Sequence, residues 1–254
     1  MEKLIGHPGI ILVIGGASEI GGAICKLYHS LGATLVIADQ DMKAAHAVAR
    51  ACEGEAPKPE LIELNMASAA HIRNLPGIIK RRFGYLDHVV NLQGEPQPQE
   101  HRWPSDVEEE TVRLSIERNL TSNILLANQL YSLLCAGAGT NRSMTFLASL
   151  HGLRALNPGA YSATRAGLHG YLIASTRAFG SHGIRVNSLM PGVLNEHVRL
   201  PTPLVRSMSA LGRCTKLDEV ARAMLCVSHI LTSMTGQMLI VDAGQTVTMP
   251  FEMY

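Results

Sequence analysis

Seven short runs of apolar, mostly β-branched residues punctuate this chain, at Ile10–Ile14, Thr34–Ala38, Leu61–Leu64, His88–Val90, Ser143–Leu147, Arg185–Ser188 and Met238–Val241. Amphipathic stretches separate them, with helical spacing clearest over Gly21–Leu31, Val107–Leu134, Tyr161–Ser181 and Leu217–Leu231. Strand and helix alternating in this way predict an α/β fold, a parallel sheet of about seven strands with helices on both faces. Right-handed crossovers make such a sheet doubly wound and place ligands at the carboxyl ends of its strands. Local exceptions are expected in three places. Pro76–Gly77 interrupts the helical pattern between Ala69 and Arg82, because proline lacks the N–H that a helix interior needs. The polar, proline-rich segment Gln93–Pro104 predicts a surface loop. Ser105 with Glu108 predicts a capping box that opens the long fourth helix.

At 254 residues the chain suits one α/β domain over 1–254, and no repeat or linker divides it. The net charge of +1, with Lys and Arg scattered, argues against a nucleic-acid surface. The apolar run 9–17 is too short for a bilayer, which needs about 20 residues, and it leads into a glycine turn as a first buried strand does. No membrane association and a cytoplasmic location are expected. The cysteines at 25, 52, 135, 214 and 226 lack Cys-x-x-Cys spacing and predict reduced, buried thiols. No two histidines stand four apart, so no local metal site is expected.

The segment Ile14-Gly15-Gly16-Ala17-Ser18-Glu19-Ile20-Gly21 follows the first strand and opens the first helix. Glycines there let the backbone approach a pyrophosphate, and the helix N-terminus offers N–H groups and a positive dipole. The second strand runs into Val36-Ile37-Ala38-Asp39. An acid at that point accepts both ribose hydroxyls of NAD and repels the extra phosphate of NADP. No Arg lies in the glycine turn or directly after Asp39 to pair with that phosphate, which favours NAD. The competing role for Asp39 is an N-cap in the βα loop.

The glycine turn resembles the T-G-x-x-x-G-x-G of short-chain dehydrogenases/reductases, with Gly15 and Gly21 as its first and last glycines. Asn91-Leu92-Gln93-Gly94 is similar to their N-N-A-G, and Leu147-Ala148-Ser149 with Tyr161-Ser162-Ala163-Thr164-Arg165 to their serine and Y-x-x-x-K. Ile184-Arg185-Val186-Asn187, Pro191-Gly192, Thr235-Gly236-Gln237 and Val241-Asp242-Ala243-Gly244 follow the family's order. The resemblance implies a Rossmann-like fold, hydride transfer with a nicotinamide cofactor, a small-molecule substrate and a homodimer or homotetramer. It implies Tyr161 as acid/base, Ser149 orienting the substrate oxygen, Arg165 as the cation beside Tyr161, and Asn119 supporting a water relay. Cofactor contacts follow at Gly15, Ser18, Glu19, Ile20, Gly21, Asp39, Asn65, Asn91, Gly94, Tyr161, Arg165, Pro191 and Leu194.

Several positions depart from the family pattern. Arg165 replaces lysine; it keeps a permanent charge but relays a proton poorly. Glu19 replaces the middle glycine, adding bulk and negative charge near the expected pyrophosphate. Leu92 replaces the second asparagine, Glu196 a common threonine, and the Ser149–Tyr161 interval is one residue short. A Ser–Tyr–Arg set also resembles halohydrin dehalogenases, which form epoxides without nicotinamide, and an isomerase or cyclase using Tyr161 and Arg165 is a further alternative. His151 reads equally as substrate-facing or as a solvated loop residue. The apolar residues Val198, Leu200, Leu204, Val205 and Met208 in Leu194–Leu211 suit either a lid over a hydrophobic ligand or a packed surface helix. The tail Met249–Met253 and Tyr254 are expected to pack on a neighbouring subunit.

Overall fold

The computed structural model describes residues 8–96, 98–101, 106–154, 159–194 and 202–248. Seven strands, β1 (Ile10–Ile14), β2 (Thr34–Asp39), β3 (Glu60–Glu63), β4 (His88–Asn91), β5 (Arg142–Leu147), β6 (Ile184–Pro191) and β7 (Met238–Val241), form one sheet in the order β3-β2-β1-β4-β5-β6-β7. Every neighbouring pair is parallel. Parallel strands need crossovers, and these are supplied largely by helices α1 (Glu19–Ser30), α2 (Met42–Arg50), α3 (Ala69–Phe83), α4 (Glu109–Ile116), α5 (Ser122–Cys135), α6 (Gly159–Gly180), α7 (Thr202–Met208) and α8 (Leu217–Leu225). A short α9 (Gln245–Thr248) follows β7. The expected Rossmann-like, doubly wound α/β fold is therefore the fold adopted.

Side chains alternate along each strand, so β1 divides its residues between two cores. Leu12 and Ile14 join Val36, Val89 and Phe146 on one face, packed against Ile79, Leu130 and Leu168 of the helices. Ile11 and Val13 join Leu35, Ile37 and Val90 on the other, packed against Ile24, Val220 and Met224. Burial on both faces is why the central strands read as continuous apolar runs. The chain reverses its direction of travel across the sheet between β1 and β4, where Ile14 pairs with both Ala38 and Asn91. The loops leaving β1 and β4 part there, and the crevice between them is where an open α/β sheet binds its ligand.

Several local expectations are corrected. Helix α3 runs unbroken through Pro76, because Ile72, Leu75 and Ile79 form one buried face that holds both halves against the sheet. The long fourth helix is two helices joined by a π-turn at Glu117–Thr121, and the pattern over 217–231 likewise ends in a π-turn at Cys226–Ile230. Helix α4 begins at Glu109 with Glu108 as its cap residue, and Glu108 makes no side-chain cap bond; Ser105 lies outside the described residues. The polar segment 93–104 is not wholly superficial either. It contains a 3₁₀ turn at Pro98–His101, whose Glu100 is buried. None of the cysteines forms a disulfide; Cys25, Cys52 and Cys214 are buried, Cys135 and Cys226 half-buried. Among the described residues no helix is long and apolar enough to cross a membrane.

At the opposite end of the sheet from the crevice, His88 and His229 lie ring to ring at 3.9 Å. His88 Nδ1 meets Ser143 Oγ at 2.9 Å, His229 Nδ1 meets Ser228 Oγ at 2.7 Å, and His229 Nε2 meets the Pro8 carbonyl at 3.2 Å. Burial holds His229 down to about 4, reinforced by the Arg185 charge and opposed by the Pro8 carbonyl. Burial also holds His88 well below the ordinary histidine value, with His229 and Arg185 adding to it. The fold thus keeps both rings neutral where an unfolded chain would protonate them near 6.5. Their contribution is complete above about pH 6.5 and drains away as the pH falls toward 4. His229 alone is expected to remove about 2 kcal/mol between pH 7 and pH 5, at about 1.4 kcal/mol per pKa unit. Urea denaturation at the two pH values checks this, and His229→Gln should flatten the dependence.

Candidate active site

The crevice at the β1/β4 reversal is a cleft of about 450 Å³, lined from five directions. The glycine turn contributes Gly15, Ala17, Ser18 and Ile20; the end of β2 contributes Asp39, Gln40 and Asp41; the segment after β3 contributes Leu64, Asn65, Met66 and Ala67. The β4 loop adds Leu92, Gln93, Gly94 and Glu95, and the π-turn adds Arg118 and Asn119.

The turn is held open by glycine where no other residue fits. Gly15 has φ +76°, and a Cβ on Gly21 would sit 2.5 Å from the Gly15 carbonyl oxygen and 2.6 Å from the Gly16 Cα. Ser18 caps α1: its hydroxyl accepts from the Gly21 N–H at 3.1 Å and donates to the Gly15 carbonyl at 2.7 Å. The N–H groups of Glu19 and Ile20 then stand in the first turn, which lacks intrahelical acceptors. Glu19 was expected to crowd a pyrophosphate. Its side chain is instead exposed and is not among the residues lining the cleft.

Asp39 is buried at the end of β2, and its two carboxylate oxygens accept separate backbone N–H bonds, from Ala17 at 2.9 Å and Asp41 at 3.0 Å. The N-cap of α2 is Asp41, which accepts from the Ala44 N–H at 2.9 Å, so Asp39 does not cap that helix. Asn65 lines the same end, its side-chain oxygen accepting from the Ala67 N–H at 2.9 Å. A dinucleotide suits this cradle: a glycine floor that any Cβ would fill, a helix N-terminus above it, and a fixed carboxylate at the rim.

At the far end the β4 loop meets α6 and the π-turn. Asn91 is buried and ties the loop down, donating to Asn123 Oδ1 at 2.8 Å and accepting from the Gln93 N–H at 3.0 Å. Gly94 has φ +134°, and a Cβ there would overlap Arg165 Nη2 at 1.1 Å. The Arg165 guanidinium lies against that bare Cα, donating from Nη1 to the Gln93 carbonyl at 3.2 Å and from Nη2 to Asn119 Oδ1 at 3.1 Å. Its central carbon stands 4.8 Å from the centre of the Tyr161 ring. Burial lowers Arg165 below its ordinary value, and Tyr161 beside it acts in the opposite direction.

Asn119 sits in the π-turn with its amide fully engaged. Oδ1 accepts from the Glu95 N–H at 3.0 Å as well as from Arg165, and Nδ2 donates to the Glu95 carbonyl at 3.0 Å and to Ser115 Oγ at 3.3 Å. Tyr161 is buried; its hydroxyl donates to the Gly94 carbonyl at 3.4 Å, and its N–H donates to the buried Glu100 carboxylate at 2.9 Å. Ser149 ends the strand β5 extension and caps a 3₁₀ turn at Leu150–Gly152. Its hydroxyl meets His151 Nδ1 at 2.9 Å, and the His151 ring stands edge-on to Tyr161 with centres 5.2 Å apart.

The expected residues come together in part: Gly15, Ser18, Ile20, Asp39, Asn65, Gly94 and Asn119 line the cleft, whereas Gly21, Asn91, Ser149, Tyr161 and Arg165 are not among its lining residues. Leu194 is buried in the core and Pro191 ends β6, and neither side chain lines the cleft. Glu196, Val198, Leu200 and Tyr254 lie outside the described residues. Polar and charged neighbours missing from the sequence-based set include Arg118, Gln93 and Glu95, which line the cleft, and Glu100, which reaches Tyr161 from the segment expected to be a surface loop. No arginine lies in the glycine turn or directly after Asp39, but the π-turn brings Arg118 to the cleft from a distant part of the chain. Of these neighbours, Gln93 carried a signal, its place in the Asn91-Leu92-Gln93-Gly94 motif.

The family model described as enoyl-(acyl carrier protein) reductase matches residues 15–246. L-fucose dehydrogenase from Bos taurus is 30% identical over 251 residues, covering 92% of this chain and 88% of that protein. A 2,5-dichloro-2,5-cyclohexadiene-1,4-diol dehydrogenase from Sphingobium indicum is 29% identical, covering 93% of this chain and 96% of its own. The crystal structure of a short-chain type dehydrogenase/reductase from Mycobacterium marinum superposes with a TM-score of 0.84 at 22% identity, covering 96% of each chain. With the family match over residues 15–246, these relatives and the fold, this chain belongs to the short-chain dehydrogenase/reductase family, as an enzyme of that oxidoreductase type.

Proposed function

We propose that residues 1–254 form one catalytic domain that uses NAD(H) to interconvert a secondary alcohol and a ketone on a small, mostly apolar molecule. The observation that carries this is Asp39, a fixed carboxylate at the rim of a glycine-floored cleft, suited to accept ribose hydroxyls and to repel a ribose phosphate. Relatives named for a sugar and for a cyclic diol support a secondary hydroxyl as the reacting group. Gly15, Ser18, Ile20 and Gly21 shape the pyrophosphate end. Asn65 borders the base, while Asn91 and Gly94 set the loop beneath the nicotinamide end, with Pro191 and Leu194 offering backbone groups there. Glu19 contributes its N–H rather than its side chain. When bound, the cofactor supplies the acceptor or donor of hydride.

The protein's own work is proton transfer and orientation. Tyr161 takes the hydroxyl proton in one direction and returns it in the other. Ser149 holds the substrate oxygen, and Arg165 stabilises the phenolate as a fixed charge. Asn119 holds Arg165 in place and borders the path of a water relay. Locking of Arg165 by Gln93 and Asn119 also favours a second reading, non-redox isomerisation, cyclisation or dehalogenase-like epoxide formation that needs an immobile guanidinium. The domain is proposed to work in the cytoplasm as a homodimer or homotetramer, through the face of α4, α5 and α6 where Ile116, Leu125 and Ile173 are 42%, 43% and 54% exposed.

NADH should bind tighter than NADPH by nicotinamide fluorescence, and Asp39→Ala should narrow the gap; equal or reversed affinities would overturn the cofactor assignment. Tyr161→Phe should cut turnover by about 10²–10⁴-fold while leaving NADH binding intact, and a loss under tenfold would remove Tyr161 from the mechanism. Substrate conversion without change in nicotinamide absorbance would decide for the non-redox reading. Gly94→Ala should displace Arg165 at a cost above about 2 kcal/mol, read as a lowered denaturation midpoint, since it combines an overlap with a left-handed φ.

A further inference from the structure

In the family's usual arrangement a flexible lysine carries protons away from the tyrosine; here the cation cannot do so. Arg165 is buried, held by the Gln93 carbonyl and Asn119 Oδ1, and guanidinium keeps its protons throughout the working pH range. The site nevertheless holds one titratable ring in direct hydrogen-bond contact with a substrate-facing hydroxyl. His151 Nδ1 lies 2.9 Å from Ser149 Oγ, and the same imidazole stands edge-on to Tyr161 at 5.2 Å. The 3₁₀ turn fixes the pair, since the Ser149 oxygen also meets the His151 N–H at 3.4 Å and the Gly152 N–H donates to the Ser149 carbonyl at 2.9 Å. Gly152 packs on α6, where a Cβ would come within 3.2 Å of the Arg165 carbonyl carbon.

A hydroxyl has one proton, and the partner at 2.9 Å decides where it points. Protonated, His151 donates from Nδ1–H, so Ser149 accepts from it and turns its own O–H outward. Neutral with its proton on Nε2, His151 accepts at Nδ1, and the Ser149 O–H is drawn inward, leaving only lone pairs toward the substrate. A ketone oxygen can only accept, so it matches the first state. An alcohol can also donate, so it is compatible with both.

We propose that His151 is a positioning residue that sets the direction of the Ser149 hydroxyl, tuning the site toward ketone when protonated. The proposal rests on the oxidoreductase reading above for its consequence, but not for the hydrogen-bond reversal itself. Among the described residues, the groups that titrate or carry charge next to the pair are Tyr161 and Arg165 of α6 and Glu100, which accepts the Tyr161 N–H, with Arg154 following in the same turn.

The direct test is ¹⁵N and ¹³C NMR of histidine-labelled protein without ligands, with His151→Phe assigning the signals. Above its titration the His151 ring should carry its proton on Nε2, with Nδ1 at the shift of a hydrogen-bonded acceptor, and Ser149→Ala should move that shift. A ring that stays Nδ1–H when neutral would donate to Ser149 in both states, which overturns the proposal. In steady-state kinetics with NAD(H), using 4-hydroxycyclohexanecarboxylate and the corresponding ketone as probes, the ratio of ketone KM to alcohol KM should rise about tenfold through the His151 titration, the value of one hydrogen bond. His151→Phe should abolish that step and leave the tyrosine step. A KM ratio that is flat in the wild type, with turnover present, also overturns it. If NMR gives the Nε2–H tautomer and no nicotinamide-linked turnover occurs with any secondary alcohol, the oxidoreductase reading fails while the hydrogen-bond reversal stands.

Discussion

A guanidinium packed on a bare Cα holds this site together. Arg165 comes from the middle of α6, rests on Gly94, and bonds to the β4 loop through Gln93 and to the π-turn through Asn119. A charge this deeply buried is tolerated only where its N–H groups find acceptors and a counter-partner lies near. Those acceptors belong to segments from two other parts of the fold, so the same contacts that satisfy the charge also align the loop, the π-turn and Tyr161. Asn119 reinforces this by clasping both backbone groups of Glu95. The result is a floor on which three segments are tied together by one guanidinium and one amide.

The sheet explains why the polar residues gather here. Its central strands are buried on both faces, which leaves functional side chains there only the strand ends and the loops beyond them. At β1 and β4 those loops diverge, and Gly15, Asp39 and Gly94 come to one level because the strands are in register at Ile14, Ala38 and Asn91. The other end of the sheet buries a polar cluster instead, with His88 and His229 held neutral beside Arg185. One end is built for ligands and the other for internal cohesion.

Much of this was legible beforehand because it depends on local spacing. The apolar runs gave the strands to within a few residues, and Gly15, Gly21, Asp39, Ser149, Tyr161 and Arg165 follow from motifs whose geometry is set within one turn or one strand. Where tertiary burial competes with local preference, the reading failed. Proline at 76 is tolerated because Ile72, Leu75 and Ile79 anchor both halves of α3, and Glu100 leaves the surface because the α6 N-terminus offers it the Tyr161 N–H.

The sequence by itself determined the order of strands and helices, the glycine turn and the residue types at the reacting centre, since periodicity, glycine's permissive backbone and motif spacing act over short distances. Only the tertiary structure decided what those residues do to one another. It inserted a π-turn that carries Arg118 and Asn119 into the cleft, turned Glu19 outward, locked Arg165 in place and set His151 against Ser149. Each of these is a contact between segments remote in sequence or a choice among side-chain directions, and both are settled only when the whole core closes.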